Sequence, residues 1–378
     1  MFEVLYFSMK VLIIQEHMPA FRVPFYERLR ELLAGRGVEL RLVYAPNQRN
    51  TFLKGELEWA EPVPIRWIGP LGWQPVLGLC RGCDLVVIQQ ETKYAVNPLL
   101  QAWSALGGPK VAYWGHGKNF QKAAENGIGG FVKNLLAKRV DWWFAYNDLS
   151  AKVVAGLGFP CERITSVGNA VDTAGMRKRL ETLDPSEVSA LREAHGIRSQ
   201  NIAVYTGGLY PNKRIGFLLE AAAKIREAIP DFELIIIGGG PQRAKVAEAA
   251  RQNPWIHDIG PKDDHGKVPF WAMAKLLLMP GLVGLVVVDS FALGVPLVTT
   301  DYPFHSPEID YLRDGENGCV VACGEDSSGY ADGVVALLRD PQRITALKEE
   351  AIRSSGLHTI EHMAENFANG VMRCLSDR

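Results

Sequence analysis

Short apolar or β-rich runs alternate with amphipathic helical patterns along nearly the whole chain, and this alternation restricts the fold more than any other feature of its 378 residues. Val11 to Ile14 reads as a strand. Pro24 to Ala34 then carries Phe25, Leu29, Leu32 and Leu33 on one helical face and stops at Gly35. Val38 to Tyr44, Asp84 to Ile88, Lys110 to Trp114 and Trp142 to Ala145 continue as strands. Helical segments near Leu99 to Leu106, Phe131 to Lys138 and Leu149 to Ala155 separate the later ones. Such an order builds parallel sheets with helices on both faces.

A polar, charged segment from Thr173 to Gln200, with Arg177-Lys178-Arg179, breaks the series and reads as a linker plus one solvated helix. A second series follows: Ile202 to Thr206, Glu233 to Ile237, Trp255 to Ile259, Leu276 to Met279 and Pro296 to Thr299. The fold class is therefore α/β, with two facing doubly wound Rossmann-like domains and ligand at the carboxyl ends of their strands. The expected division is 9–172, a linker at 173–200, 201–354, and a C-terminal helix at 355–378 that crosses back onto the first domain.

Composition removes several classes. The net charge of −1 gives no drive toward nucleic acid. Up to Asp172 the chain holds 19 lysines and arginines against 15 acids, and afterwards 22 against 27, so only the first half is mildly basic. That balance suits an anionic acceptor or lipid headgroups. Six cysteines form no disulfide framework, as in a reducing compartment, and the single Cys80-Arg81-Gly82-Cys83 motif reads as structural. No apolar run reaches the ~18 residues of a membrane span. Met1 to Met9 contains Glu3 and lacks a basic start and a cleavage site, so it reads as an upstream extension, with translation from Met1 or Met9 left open.

Thirteen uncharged residues, Leu276 to Val288, pass from a strand through a glycine-bearing turn into a helix, and one acid, Asp289, then appears. Backbone N–H groups at a helix entrance reached through Gly281 and Gly284 suit a diphosphate. Asp289 lies about a turn further in, placed to accept hydrogen bonds from sugar hydroxyls. The same features also suit a buried apolar helix whose glycines allow close packing. Three further strand ends carry comparable groups: Gly207-Gly208-Leu209-Tyr210-Pro211-Asn212-Lys213-Arg214, Gly238-Gly239-Gly240-Pro241 and Gly260-Pro261-Lys262. Gly238 to Pro241 lacks the last glycine of a dinucleotide fingerprint, which argues against NAD.

These segments, with Val283 to Pro296 and Glu316-Asn317-Gly318, resemble the donor domain of GT-B glycosyltransferases of the retaining family 4 (glycosyl transferases group 1) type. Trp114-Gly115-His116-Gly117 resembles that family's histidine loop, and Asn169-Ala170-Val171-Asp172 its domain-closing segment. The resemblance implies an N-terminal acceptor-side domain, a C-terminal nucleotide-sugar domain, and transfer from a nucleotide-diphosphate sugar with retention. It implies catalytic roles for His116, Lys213 and Asp289. Lys213 and the N–H groups of Gly284, Leu285 and Val286 take the diphosphate, Asp289 the ribose, the backbone around Lys262 the base, and His116 the donor sugar. Gly207, Gly208, Gly240 and Gly281 line the donor. Two departures stand out. The family's first acid of a Glu-x7-Glu pair is Gly281 and its second is the shorter Asp289, while Gly208 occupies the place of an arginine. Arg214 is the candidate substitute cation. Phe21 and Arg22 fall on the acceptor side.

No Asp-x-Asp is present, and no metal or other cofactor is expected. His358-Thr359-Ile360-Glu361-His362 has the form of a zinc peptidase motif but reads as an exposed helix start. His305-Ser306-Pro307-Glu308 opens a short turn near the expected site. Phe131 to Arg139 carries Lys133, Lys138 and Arg139 beside apolar residues, a pattern that suits peripheral membrane contact and, by default, a helix with one buried face. The reading is a cytoplasmic glycosyltransferase, with the inner membrane face as a further location, acting on a lipid-linked or polysaccharide acceptor. A catalytically silent nucleotide-sugar-binding subunit and a sugar-nucleotide epimerase are the alternatives.

Overall fold

The computed structural model describes residues 8–46, 55–117 and 138–377. The N-terminal extension up to residue 7 and the helix expected at Phe131 to Lys138, save its last residue, lie outside them. Contacts divide the chain into two compact units, Met1–Asn169 with Ile360–Arg378, and Ala170–Thr359.

The first unit contains β1 (Met9–Gln15), β2 (Val38–Tyr44), β3 (Glu61–Pro62), β4 (Arg66–Ile68), β5 (Leu71–Trp73), β6 (Leu85–Gln89), β7 (Lys110–Gly115), β8 (Trp142–Ala145) and β9 (Ile164–Ser166). Seven of them form one sheet in the order β3-β2-β1-β6-β7-β8-β9, with every pairing parallel. Val11, Leu12, Ile13, Val86, Val87 and Trp143 have no exposure, as expected of strands covered on both faces. The antiparallel β4–β5 hairpin and β9 escape sequence reading because runs of three residues show no periodicity.

The last helix, Ile360–Ser376, belongs to this unit. Ile360, Met363, Ala364, Phe367, Val371 and Cys374 make one buried stripe at helical spacing. Phe367 stacks flat on Phe144 at 4.1 Å between ring centroids and meets Phe25 and Trp114 edge-on. Lys110 donates to the Cys374 carbonyl at 2.7 Å, placing a cation at the negative end of the helix.

The second unit contains β10 (Ile202–Thr206), β11 (Glu233–Ile237), β12 (Ile256–Asp258), β13 (Leu276–Met279), β14 (Leu297–Thr300) and β15 (Gly318–Val321), all parallel, in the order β12-β11-β10-β13-β14-β15. The segment read as a linker is instead two helices of this unit, Thr173–Glu181 and Pro185–His195. Asp172 and Asp184 cap them through the N–H groups of Gly175 and Ser186, and Thr173 and Met176 bury the first. Their charged outer faces concealed them. Among the described residues no helix is long and apolar enough to cross a membrane.

Phe367→Ala removes the aromatic stack joining the last helix to the first unit and should cost about 3–5 kcal/mol. Denaturant unfolding of the whole chain measures it, and the loss should fall on the unfolding transition of the first unit.

Candidate active site

The direction of winding in the second sheet reverses between β10 and β13, which pair side by side. Open α/β sheets bind ligands beyond the carboxyl ends of strands at such a reversal. Two of the glycine-bearing loops singled out in the sequence leave from these two strands.

The loop after β10 packs on the loop after β11. The Gly207 N–H donates to the Ile237 carbonyl at 3.0 Å, and the Leu209 N–H to Gly239 at 2.8 Å. A Cβ on Gly238 would overlap the Gly207 carbonyl, and one on Gly240 would stand 2.9 Å from the Leu209 backbone. Gly208 lies under the Tyr210 ring and accepts a hydrogen bond from Tyr205. Loop-to-loop packing therefore accounts for Gly238 and Gly240, and the Tyr210 ring for Gly208.

The loop after β13 meets the Pro211–Lys213 turn even more closely. A Cβ at Gly281 would stand 2.5 Å from the Asn212 carbonyl oxygen and 2.5 Å from the Lys213 carbonyl carbon. The carboxylate that the family resemblance expects at this position has no room. The Leu282 N–H donates to the Asn212 carbonyl at 2.9 Å, and Lys213 Nζ donates to the Leu282 carbonyl at 2.5 Å. Burial lowers the Lys213 pKa to about 8, against an opposing pull from the Glu308 carboxylate. Val283 is fixed from the far side, where its N–H donates to His305 Nδ1 at 3.0 Å and its carbonyl accepts from the Ser306 N–H at 3.0 Å.

Helix Val286–Leu293 then begins, and its body from Val287 onward is buried while Gly284, Leu285 and Val286 are partly exposed. Among the described residues, the N–H groups of these three have no hydrogen-bond acceptor. Three free donors at the positive end of a helix, next to a buried lysine, form an anion seat.

Two charged residues expected here are engaged within the unit. Arg214, the candidate substitute cation, donates to the Pro280 and Gly324 carbonyls, to Thr300 Oγ1 and to Glu325, and its guanidinium lies 3.9 Å from the Phe217 ring centroid. It is the non-glycine residue with positive φ (+56°) among the described residues, and these contacts hold that conformation. Its charge is thereby committed within the unit. Asp289 is buried, and its Oδ2 accepts from Lys267 Nζ at 2.7 Å. Burial works against the Lys267 charge, but Asp289 and Asp264 outweigh it and hold the pKa above the usual lysine value. The expected ribose ligand is thus already half of a buried ion pair. Lys262 is exposed on the turn after β12.

In the first unit, His116 follows β7 and stacks on Tyr146 at 4.1 Å. Gln90 clamps its loop, donating to the Gly117 carbonyl (3.0 Å) and accepting from the Gly117 N–H (2.9 Å). Phe21 is partly exposed, but Arg22, expected to meet an acceptor, is buried on Asn169, the Met363 sulfur and the Trp114 face. Glu16 at the end of β1 accepts from Lys93 at 2.7 Å and from Tyr94. Sequence reading missed Gln90, Glu16 and Lys267, isolated polar residues that no motif marks; His305 was marked but given no task.

Cys80 and Cys83 are both buried, and burial pushes the Cys80 thiol to about 12, as suits a structural pair. His358 stacks on Tyr311 at 3.9 Å. Among the described residues no cluster of three His, Cys, Asp or Glu side chains could hold a metal ion.

Residues 200–340 match the family described as glycosyl transferases group 1. The chain is 30% identical over 282 residues to the "Putative glycosyltransferase EpsD" of Bacillus subtilis, covering 69% of this chain and 70% of that one. It is 33% identical over 150 residues to the phosphatidyl-myo-inositol mannosyltransferase of Mycobacterium leprae, covering 38% of this chain and 39% of the relative. Among solved structures, Anabaena Alr3699/HepE in complex with UDP-glucose superposes with a TM-score of 0.71 at 17% identity, over 97% of this chain and 100% of that one. That likeness shows the fold.

Gly281→Glu, which restores the expected acid, should destabilise the protein by about 1–3 kcal/mol, because backbone rather than a movable side chain fills the space. A lower midpoint in chemical denaturation, with no gain in turnover, is the expected result.

Proposed function

The chain belongs to the glycosyl transferases group 1 family and is a glycosyltransferase of GT-B fold; from that premise we propose that it moves a sugar from a nucleotide-diphosphate donor to an acceptor hydroxyl with retention at the anomeric carbon. One observation carries the proposal: the unoccupied N–H groups of Gly284, Leu285 and Val286 open beside Lys213 at the β10/β13 reversal. As the bond from the sugar to the diphosphate breaks, negative charge grows on the departing oxygen. Preorganised N–H donors and a desolvated ammonium stabilise that charge without reorganising. The acceptor hydroxyl attacks the same face of the sugar and gives its proton to the departing diphosphate. In this reading the leaving group's charge is met by protein groups and no metal is required.

A lipid-linked or polysaccharide acceptor is proposed from the relatives, one of which is named for phosphatidyl-myo-inositol. Peripheral contact with a membrane belongs to the same proposal. One observation favours a second reading, a binding subunit without turnover: the Asp289 carboxylate is already engaged by Lys267. Sugar transfer to an acceptor supports the first reading, and donor binding with no product supports the second.

Lys213 must be protonated to act. Its pKa of about 8 in the free protein means that the cation is present below that pH and lost above it. The value of kcat/KM should therefore fall as pH rises through about 8. The corresponding limb of kcat should lie higher, because bound diphosphate favours the ammonium. Lys213→Met should lower kcat/KM about 100- to 1000-fold and abolish the alkaline limb. A pH-rate profile with nucleotide sugars checks both; an unchanged profile in the variant would remove Lys213 from the mechanism.

A further inference from the structure

The His305 ring spans the gap between the end of β14 and the turn that leads to the anion seat. Nε2 stands 3.0 Å from the Thr300 carbonyl oxygen, and Nδ1 stands 3.0 Å from the Val283 nitrogen. A carbonyl can only accept, so Nε2 carries the hydrogen. A backbone N–H can only donate, so Nδ1 is bare. The two partners together permit a single form of the ring, the neutral Nε2–H tautomer. Val283 immediately precedes the three residues whose N–H groups are free, and the return bond from the Ser306 N–H to its carbonyl locks its peptide orientation. A second proton, on Nδ1, would set N–H against N–H and break the strut where it touches the seat.

We propose that neutral His305 is a positioning residue for the donor diphosphate: through Val283 it aims the N–H groups of Gly284, Leu285 and Val286, and protonation of the ring releases them. The inference rests on the donor reading above. The groups around the ring agree with it. Burial works against a charged imidazole, the Thr300 bond favours it, and the Lys213 cation opposes it, leaving the pKa below its ordinary 6.5. The Tyr302 ring meets His305 edge-on at 5.6 Å. Arg214 lies beyond Tyr302, 5.8 Å from that ring, while the Glu308 carboxylate acts on Lys213. The sign is distinctive. A histidine that bound diphosphate as a cation would strengthen binding on acidification, whereas a neutral strut weakens it.

Calorimetric titration of the full chain with UDP-glucose and with GDP-mannose, from pH 7.5 to 5.5 in buffers of different ionisation enthalpy, separates the cases. Both probes are diphosphate diesters with no ionisation of their own in this range, unlike free nucleoside diphosphates. Below pH 7, where Lys213 is already largely an ammonium, affinity should fall toward acid pH with up to one proton released per donor bound; nearer pH 7.5 Lys213 adds a fractional proton uptake of its own. His305→Ala should weaken binding about tenfold at pH 7.5, the value of one lost hydrogen bond at the seat. His305→Asn, whose Oδ1 can accept the Val283 N–H, should recover most of that loss and abolish the proton release. Binding that tightens on acidification below pH 7, or proton release that persists in His305→Asn, overturns the inference alone. A folded wild-type chain that binds neither probe at pH 7.5 overturns the donor reading and this inference with it.

Discussion

At the reversal of the second sheet, two loops meet backbone to backbone, and the absence of a side chain at Gly281 lets them do so. Most of the site follows from that contact. Because the Pro211–Lys213 turn lies directly on the loop after β13, the Leu282 N–H reaches the Asn212 carbonyl and the Lys213 ammonium reaches back to Leu282. The same closeness strips water from Lys213 and brings its pKa within reach of neutrality. Val283, one residue further on, is then held from the other side by His305 and Ser306. A turn fixed on both sides can present three N–H groups in a set direction, which a turn hydrated on one side cannot.

This arrangement changes which groups face a ligand. The resemblance expects an acid at position 281, an arginine at 208 and a carboxylate at 289 to surround the donor. Here the first is a glycine that accommodates backbone, the second is a glycine under the Tyr210 ring, and the third is paired with Lys267. Arg214, the candidate substitute cation, makes four hydrogen bonds, to the Pro280 and Gly324 carbonyls, Thr300 and Glu325. These charges hold the loops, and the proposed donor contacts rest chiefly on uncharged backbone donors with one lysine. Under the proposed donor reading, that composition suits the shape and charge of a diphosphate and leaves fewer side chains with which to discriminate the sugar.

The parallel sheets were legible because most long strands are buried on both faces and read as short apolar runs, while Val38–Tyr44 alternates buried and partly exposed residues at its start; Val38–Tyr44, Trp142–Ala145, Ile202–Thr206, Glu233–Ile237 and Leu276–Met279 have the bounds expected of them. The helices at Thr173–Glu181 and Pro185–His195 were not, since each buries too little for its apolar residues to outweigh its charges. Position along the chain also marked the loops that leave the sheet at the β10/β13 reversal, because the glycines at 207, 281 and 284 stand where strands end. It could not show direction. Asp289 and Lys267 are 22 residues apart, and nothing local announces that they pair. Nor does local sequence reveal that Arg22 turns toward Asn169, 147 residues away.

Lys213 and His305 show how two neighbouring buried basic groups can be held in opposite states. Burial disfavours charge on both, and each cation would raise the cost of the other. Their partners break the tie. Lys213 has a carbonyl as acceptor and Glu308 nearby, which favour an ammonium. His305 faces a backbone N–H at Nδ1, which admits only a bare nitrogen. An arriving diphosphate would draw charge onto either group, but only Lys213 can keep its proton without dismantling the turn that presents the N–H groups. The hydrogen-bond polarity of two backbone groups, Leu282 C=O and Val283 N–H, thus decides which side chain carries the positive charge at this site.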